Sequence, residues 1–279
     1  MLQTLAVIQA QPAALQTRTK VDDTVAPFDR NAVVMTRRGT IKPRAAQAGG
    51  TAGRRFGSQT LLEWVVRRVG ECLSVQRMVV LIGHRDDESA IRRIVPNDVP
   101  VFSSSKADPL AQLADLVENY QPASVLRVCA HSPFVDPALM DRLVTTGSQH
   151  PACDYISYCR RDGQPAVLSS VGLFAEWLRA DAVTRADQGA TDPLDRELVT
   201  RFIYSHPELF SLRLIPSPAE LDRDDVRLTL AEEQDWEHAH AIYEALGPEA
   251  LDWQRIASLL DHQPRLRARM AELNQKNIV

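Results

Sequence analysis

Apolar residues along the chain fall into two patterns, short β-branched runs and longer stretches with helical spacing, which alternate for most of the length. That alternation predicts an α/β fold of three layers, with a mostly parallel central sheet. Leu5 to Gln9, Met78 to Ile82, Ser124 to Cys129, Tyr155 to Cys159, Ser211 to Ile215 and Val226 to Leu230 read as strands. Between Gln59 and Leu73, the residues Leu61, Leu62, Val65, Val66 and Val69 recur at helical spacing around Arg67 and Arg68, predicting an amphipathic helix. A second helix runs from Asp108 to Tyr120, opened by Asp108-Pro109, where the carboxylate caps and the proline takes the first helical position. The same device recurs at Asp136-Pro137 and Asp192-Pro193. A helical stretch is expected from about Gly172 to His206, and another helix from about Ala231 to Leu246, with Thr229 and Glu232 as a capping box.

After Gly247 the spacing changes to short helices, Trp253 to Leu260 and Pro264 to Leu273, with Arg265, Arg267 and Arg269 on one side. The expected organisation is a main domain over 1–246 and a docked helical tail over 247–279. No repeat of solenoid or propeller length is present.

Composition narrows the class. The chain has 279 residues, 44% hydrophobic and 24% charged, enough apolar material for a sizeable core and too much for disorder. With 32 basic against 36 acidic residues, the net charge of -4 argues against electrostatic binding of nucleic acid or an anionic membrane by the chain as a whole. Interleaved aromatics and helix-turn-helix signatures are missing as well, so nucleic acid is not an expected partner. No apolar run approaches the ~18 residues of a membrane span, and Leu5 to Ile8 lacks the flank of a signal peptide. Cys72, Cys129, Cys153 and Cys159 form no CxxC pair, which points to reduced thiols and a cytoplasmic protein.

One stretch departs from the acidic average. Between Arg30 and Leu62 lie Arg30, Arg37, Arg38, Lys42, Arg44, Arg54 and Arg55 with no acidic residue before Leu62, together with Gly39, Gly49, Gly50, Gly53 and Gly57. Guanidinium forks and exposed N–H groups can converge on phosphate oxygens, and a triphosphate is a natural partner. The alternative is a solvated surface loop. Neither a Walker motif nor GxGxxG occurs. The segment from Ala130 to Asp136 leaves the carboxyl edge of a strand before a helix begins, the place where open α/β sheets bind ligands.

Several segments, in order from Leu5 to Leu246, resemble the cytidylyltransferases of the spore coat polysaccharide biosynthesis protein F type, relatives of CMP-KDO synthetase within the nucleotide-diphospho-sugar transferases. Leu5-Ala6-Val7-Ile8-Gln9-Ala10-Gln11 is similar to the family's opening strand, after which the phosphate signature Gln-Ala-Arg, Met-Gly-Ser, Arg, Pro, Gly and Lys is degraded here. Met35 to Arg44, with Arg37, Gly39, Thr40, Lys42 and Pro43, is a second candidate for that signature, and residues 12–56 form a divergent basic loop region. Leu61 to Val69 is similar to the first family helix and Arg127 to Pro137 to the strand and loop of the site. Asp195-Arg196-Glu197-Leu198-Val199-Thr200 is similar to a segment that reads Arg-Glu-His-Val-Thr, and Asp225 to Leu230 to the last core strand.

The resemblance implies transfer of a cytidylyl group from CTP to an acidic sugar, with pyrophosphate leaving, for surface polysaccharide synthesis. It places Gln9, Ala10, Gly39, Ala130, His131 and Ser132 around the nucleotide, and gives Arg37, Lys42, Arg196 and Glu197 catalytic or substrate roles. It also implies a homodimer joined through the segment after Cys159. Family members hold Mg2+ with two aspartates, one in a Gly-Asp-x-Pro turn and one opening a Thr-x-Asp segment. At those positions this chain has His131 and Ala231. Imidazole is a poor Mg2+ ligand and alanine is none, and losing both ligands slows such a transfer by roughly a thousandfold or more. Two functions therefore stand side by side: a cytidylyltransferase with a weak or rebuilt metal site, and a catalytically inactive relative that binds a nucleotide or a partner.

The remaining candidates have ordinary readings. His131 either lines the nucleotide pocket or fills a vacated carboxylate site, and Arg127 either pairs with a carboxylate or touches a ligand. Asp108 and Asp136 are expected as caps, Asp235 as a first-turn charge favouring the helix dipole. His238 and His240, two apart on one helix, face different ways and make no zinc pair. Cys129 reads as a buried strand residue, and Trp64 and Trp177 as core.

Overall fold

The computed structural model describes residues 3–10, 50–84 and 86–276. β1 (Thr4–Gln9) is followed in the described chain by a small hairpin, β2 (Arg55–Phe56) and β3 (Gln59–Thr60). Thr60 then caps α1 (Leu61–Gly70), its hydroxyl accepting from the Glu63 N–H while Glu63 returns a bond to the Thr60 N–H. The expected helix is shorter than its apolar periodicity, because Gln59 and Thr60 pair in the hairpin and Leu73 lies 92% exposed. Next come β4 (Arg77–Ile82), α2 (Glu88–Ile94), β5 (Val101–Ser103), α3 (Pro109–Tyr120), β6 (Ser124–Cys129) and α4 (Pro137–Gln149). Asp108 and Asp136 cap α3 and α4 through the N–H groups of Ala111 and Leu139, as their Asp-Pro pairs predict.

The expected helical stretch from Gly172 to His206 needs correction. After β7 (Tyr155–Cys159), the chain forms β8 (Glu176–Arg179) before α5 (Ala180–Gly189), α6 (Pro193–Glu197) and α7 (Arg201–Ser205). β8 runs antiparallel between β6 and β7, and its run Ala175 to Leu178 is buried on both faces, so it shows no alternation to separate it from a buried helix. β9 (Leu212–Pro216) follows, then α8 (Glu233–Leu246), α9 (Trp253–Asp261) and α10 (Pro264–Lys276).

Seven strands make the main sheet in the order β5-β4-β1-β6-β8-β7-β9, parallel except for β8. The two-residue period of the strands splits the core. Ala6, Ile8, Leu126 and Val128 pack against α1, α4, α8 and the two last helices, while Leu5, Val7 and Val125 pack against α3, α5 and α7. Ile256, Leu260 and Met270 of the tail belong to the first of these cores.

Val226 to Leu230, expected as a strand, lies outside the sheet. Its N–H groups go to single carbonyls, Leu228 and Thr229 to Ser170 and Leu230 to His131. The expected Thr229–Glu232 capping box is also replaced. α8 starts at Glu233, and the reciprocal box is made by Glu232 and Asp235.

Candidate functional site

β1, β4 and β6 end side by side, with Gln9 between Leu81 and Cys129. Pairing runs one residue past the strands, since Ala10 donates to the Leu81 carbonyl (3.1 Å) and Ala130 to that of Gln9 (3.1 Å). The expected nucleotide-binding residues Gln9, Ala10, Ala130, His131 and Ser132 therefore meet at one carboxyl edge. At the end of β4, Gly83 leaves room that a side chain would take: a Cβ there would lie 2.6 Å from the Gln112 amide nitrogen. Arg37, Gly39 and Lys42 lie outside the described residues.

The loop from Ala130 to Asp136 is clamped from behind. The Trp64 indole donates to the Pro133 carbonyl (2.7 Å), and the buried Arg68 donates to the carbonyls of Val135 (3.2 Å) and Leu251 (3.0 Å). Asp136 adds a link to the tail, accepting from the Trp253 N–H (3.0 Å). α1 and the first tail helix thus hold a loop that has no ladder of its own. Sequence reading placed Trp64 in the core and Arg68 between apolar positions, and their polar ends were the part it missed.

His131 and Ala231, the two positions where the family resemblance requires aspartates, are neighbours in space, because Leu230 donates to the His131 carbonyl (3.0 Å). Burial first, and the charge of Arg127 second, push the imidazole down to about 4, so it is neutral near pH 7. Its Nδ1 is buried without a hydrogen-bond partner. Asp235, the nearest retained aspartate, is turned away. Oδ1 accepts from Arg227 Nε (2.6 Å), and Oδ2 accepts from Arg227 Nη2 (3.0 Å) and from the N–H groups of Ala231 (2.9 Å) and Glu232 (2.8 Å). Both side chains are buried. Asp235 takes the expected place as an acidic residue in the first turn of α8, and it is in addition one half of a buried ion pair. Among the described residues, no three His, Cys, Asp or Glu side chains group as metal ligands. A hard cation such as Mg2+ asks for several carboxylate oxygens, so the described residues at these two positions do not fit it.

Across the sheet a polar network lies beneath the same edge. Arg127 gives Nε to Gln9 Oε1 (2.8 Å) and Nη1 to Glu176 Oε2 (2.5 Å). Glu176, completely buried, also accepts from the Tyr155 hydroxyl (2.5 Å) and Thr200 Oγ1 (2.8 Å). Of the two readings of Arg127, pairing with a carboxylate is the one this geometry carries. Burial and Glu176 raise the Tyr155 phenol well above its ordinary range, so it stays a donor. Val199 precedes Thr200 with a φ of 23°, rare for a β-branched residue, and this turn presents the Thr200 hydroxyl to Glu176. Glu176 escaped sequence reading, although a lone acid inside the apolar run Val171 to Leu178 was a usable signal.

Arg196 and Glu197 sit on α6. The Arg196 guanidinium is engaged with Asp108 (2.9 Å) and Asp187 (2.6 Å), bracing α6 against α3 and α5, and Glu197 is exposed. His238 and His240 are separated as expected: His238 is buried, and His240 lies against Phe56 and Trp236.

Comparison with known proteins places this geometry among nucleotidyltransferases. Residues 52–224 match the MobA-like NTP transferase domain. The spore coat polysaccharide biosynthesis protein SpsF of Bacillus subtilis is 22% identical over 218 residues, covering 76% of this chain and 87% of SpsF. A cytidylyltransferase from Leptospira borgpetersenii superposes with a TM-score of 0.71 at 15% identity, with 95% of each chain covered. A CMP:2-keto-3-deoxy-manno-octonic acid synthetase solved in complex with CTP gives 0.56 at 8% identity, covering 87% of this chain and 98% of that one. No helix among the described residues is long and apolar enough to cross a membrane.

Proposed function

The chain belongs to the MobA-like NTP transferase family, and from that premise we propose that it is a cytidylyltransferase-like protein that binds CTP or a nucleotide sugar without transferring the cytidylyl group. The ligand would lie across the carboxyl edge of β1, β4 and β6, with its phosphates near Ala10 and the clamped loop Ala130 to Ser132. One observation carries the second half of the reading. Where a transferase of this kind needs two free carboxylates, this chain has a neutral imidazole, an alanine, and an Asp235 whose two oxygens are consumed by Arg227 and two backbone N–H groups. With no free carboxylate at these positions, a divalent ion would be held weakly where charge develops during phosphoryl transfer.

The test is calorimetry of CTP binding in Mg2+, in Mn2+ and in EDTA, with pyrophosphate release followed in the same samples in the presence of acidic sugars. Equal binding in all three and no pyrophosphate support the reading. Metal-dependent binding with turnover that collapses in His131→Ala overturns it in favour of an active transferase, and failure to bind any nucleotide removes the ligand.

A further inference from the structure

The two tail helices hold both chain segments that frame the site. The start of α9 grips the His131 loop: Asp136, 1% exposed, caps α4 through one carboxylate oxygen and accepts from the Trp253 N–H through the other. The buried Arg68 guanidinium joins the same two parts, giving Nε to the Val135 carbonyl and Nη2 to the Leu251 carbonyl. The end of α10 grips the second segment, where Asn274 donates to the carbonyls of Asp224 (2.9 Å) and Val226 (3.1 Å). Leu230 closes the circuit by donating to the His131 carbonyl (3.0 Å). Opposite ends of one helix pair therefore fix the segments that carry His131 and Ala231 relative to each other. The attachment itself is slight. Of its 13 residues α10 buries Met270 and Leu273, and Arg267 ties it down through partly exposed pairs with Asp261 (3.3 Å) and Asp225 (3.6 Å). An element with so few buried apolar side chains opens at a lower free energy than the sheet it packs against. The tail also lies beyond the matched transferase domain, which ends at residue 224.

We propose that α9 and α10 form a detachable brace that regulates the site: docked, they hold the His131 loop and the 224–231 segment in the arrangement that takes the nucleotide, and undocked, they release both. A ligand seated on Ala130 to Ser132 needs that loop in place, so it binds the docked form more tightly and shifts the equilibrium toward it. The coupling is reciprocal, because whatever loosens the tail also costs the ligand affinity once the undocked form is populated. Arg68 and Asn274 are positioning residues in this scheme, acting through the backbone carbonyls they hold. The ligand half of the proposal rests on the nucleotide site proposed above, and the brace half stands on the hydrogen bonds alone.

Amide hydrogen exchange on the full chain tests both halves. Asn274→Ala removes two donated bonds at the half-buried end of α10 and should speed exchange along α9 and α10 about tenfold. The amides of Val135, Asp136 and Leu230, which donate to Ser132, Leu173 and His131, should speed by the same factor, while α5, packed on the opposite face of the sheet, keeps its rates. Saturating CTP should slow exchange in the tail about tenfold more than in α5. Arg68→Met keeps the stem and loses both carbonyl links, so it should cut that excess about threefold, and the Asn274→Ala comparison decides the matter if Arg68→Met fails to fold. Faster exchange in the tail with unchanged rates at Val135, Asp136 and Leu230 would overturn the brace, and so would CTP slowing the tail and α5 alike, since a tail that merely adds stability gives that result. Failure of CTP to bind would sink the nucleotide reading instead, and the comparison without ligand still decides the brace.

Discussion

Arg227 and Asp235, eight residues apart, meet side-on with two hydrogen bonds of 2.6 and 3.0 Å, at 3% and 2% exposure. The aspartate also caps the N-terminus of α8, so one carboxylate satisfies a guanidinium and two orphan backbone donors. Asn274 of α10 holds the backbone on the other side, its amide donating to the carbonyls of Asp224 (2.9 Å) and Val226 (3.1 Å). The tail and the pair together keep the chain from Asp224 to Ala231 in place beside the His131 loop.

Removing one partner of such a pair leaves a buried charge unmatched. Asp235→Ala is therefore expected to destabilise the protein by about 3 kcal/mol or more in urea unfolding. A loss below about 1 kcal/mol would mean that the pair is solvated and exerts no hold on the loop.

His131 gives a pH dependence of definite sign. Its folded value lies near 4, below the ordinary 6.5, so the unfolded chain takes up the proton first. The contribution is fully present above about 6.5 and declines as pH falls toward 4, by on the order of 3 kcal/mol. Thermal unfolding followed from neutral pH down to about 4.5 should show a shallower decline for His131→Gln than for the unmodified protein. Parallel curves would show that the imidazole is protonated in the fold and that the site is not the neutral one described above.

Two helical glycines should respond in opposite directions to alanine. A Cβ at Gly147 of α4 would fall 2.4 Å from the Trp177 ring, whereas at Gly70, the last residue of α1, the nearest atom is Met78 Cε at 3.6 Å. Gly147→Ala is expected to lower the melting temperature, since overpacking of about 1 to 3 kcal/mol outweighs the roughly 1 kcal/mol gained in helix propensity. Gly70→Ala has only the propensity gain and should raise it. A rise for both would show that the indole has room to move and that the sheet packs α4 less tightly than these distances state.

What the sequence determined by itself rests on short-range physics. The strands β1, β4, β6 and β7 follow from apolar runs of strand length bounded by turn signals, and the starts of α3, α4 and α6 from an aspartate that caps the helix and a proline in its first position. The replacement of two family aspartates by His131 and Ala231 is likewise visible without coordinates. The tertiary structure decided everything that depends on strand order. Glu176 meets Arg127 only because β8 enters between β6 and β7 in the reverse direction, bringing together residues 49 apart in the chain. Asp235 turns inward only because the segment carrying Arg227 lies outside the sheet and folds back onto the first turn of α8. Periodicity and caps report what a residue does with neighbours three or four positions away. A buried charge is placed by whichever opposite charge the fold delivers to it, and no local pattern encodes that partner.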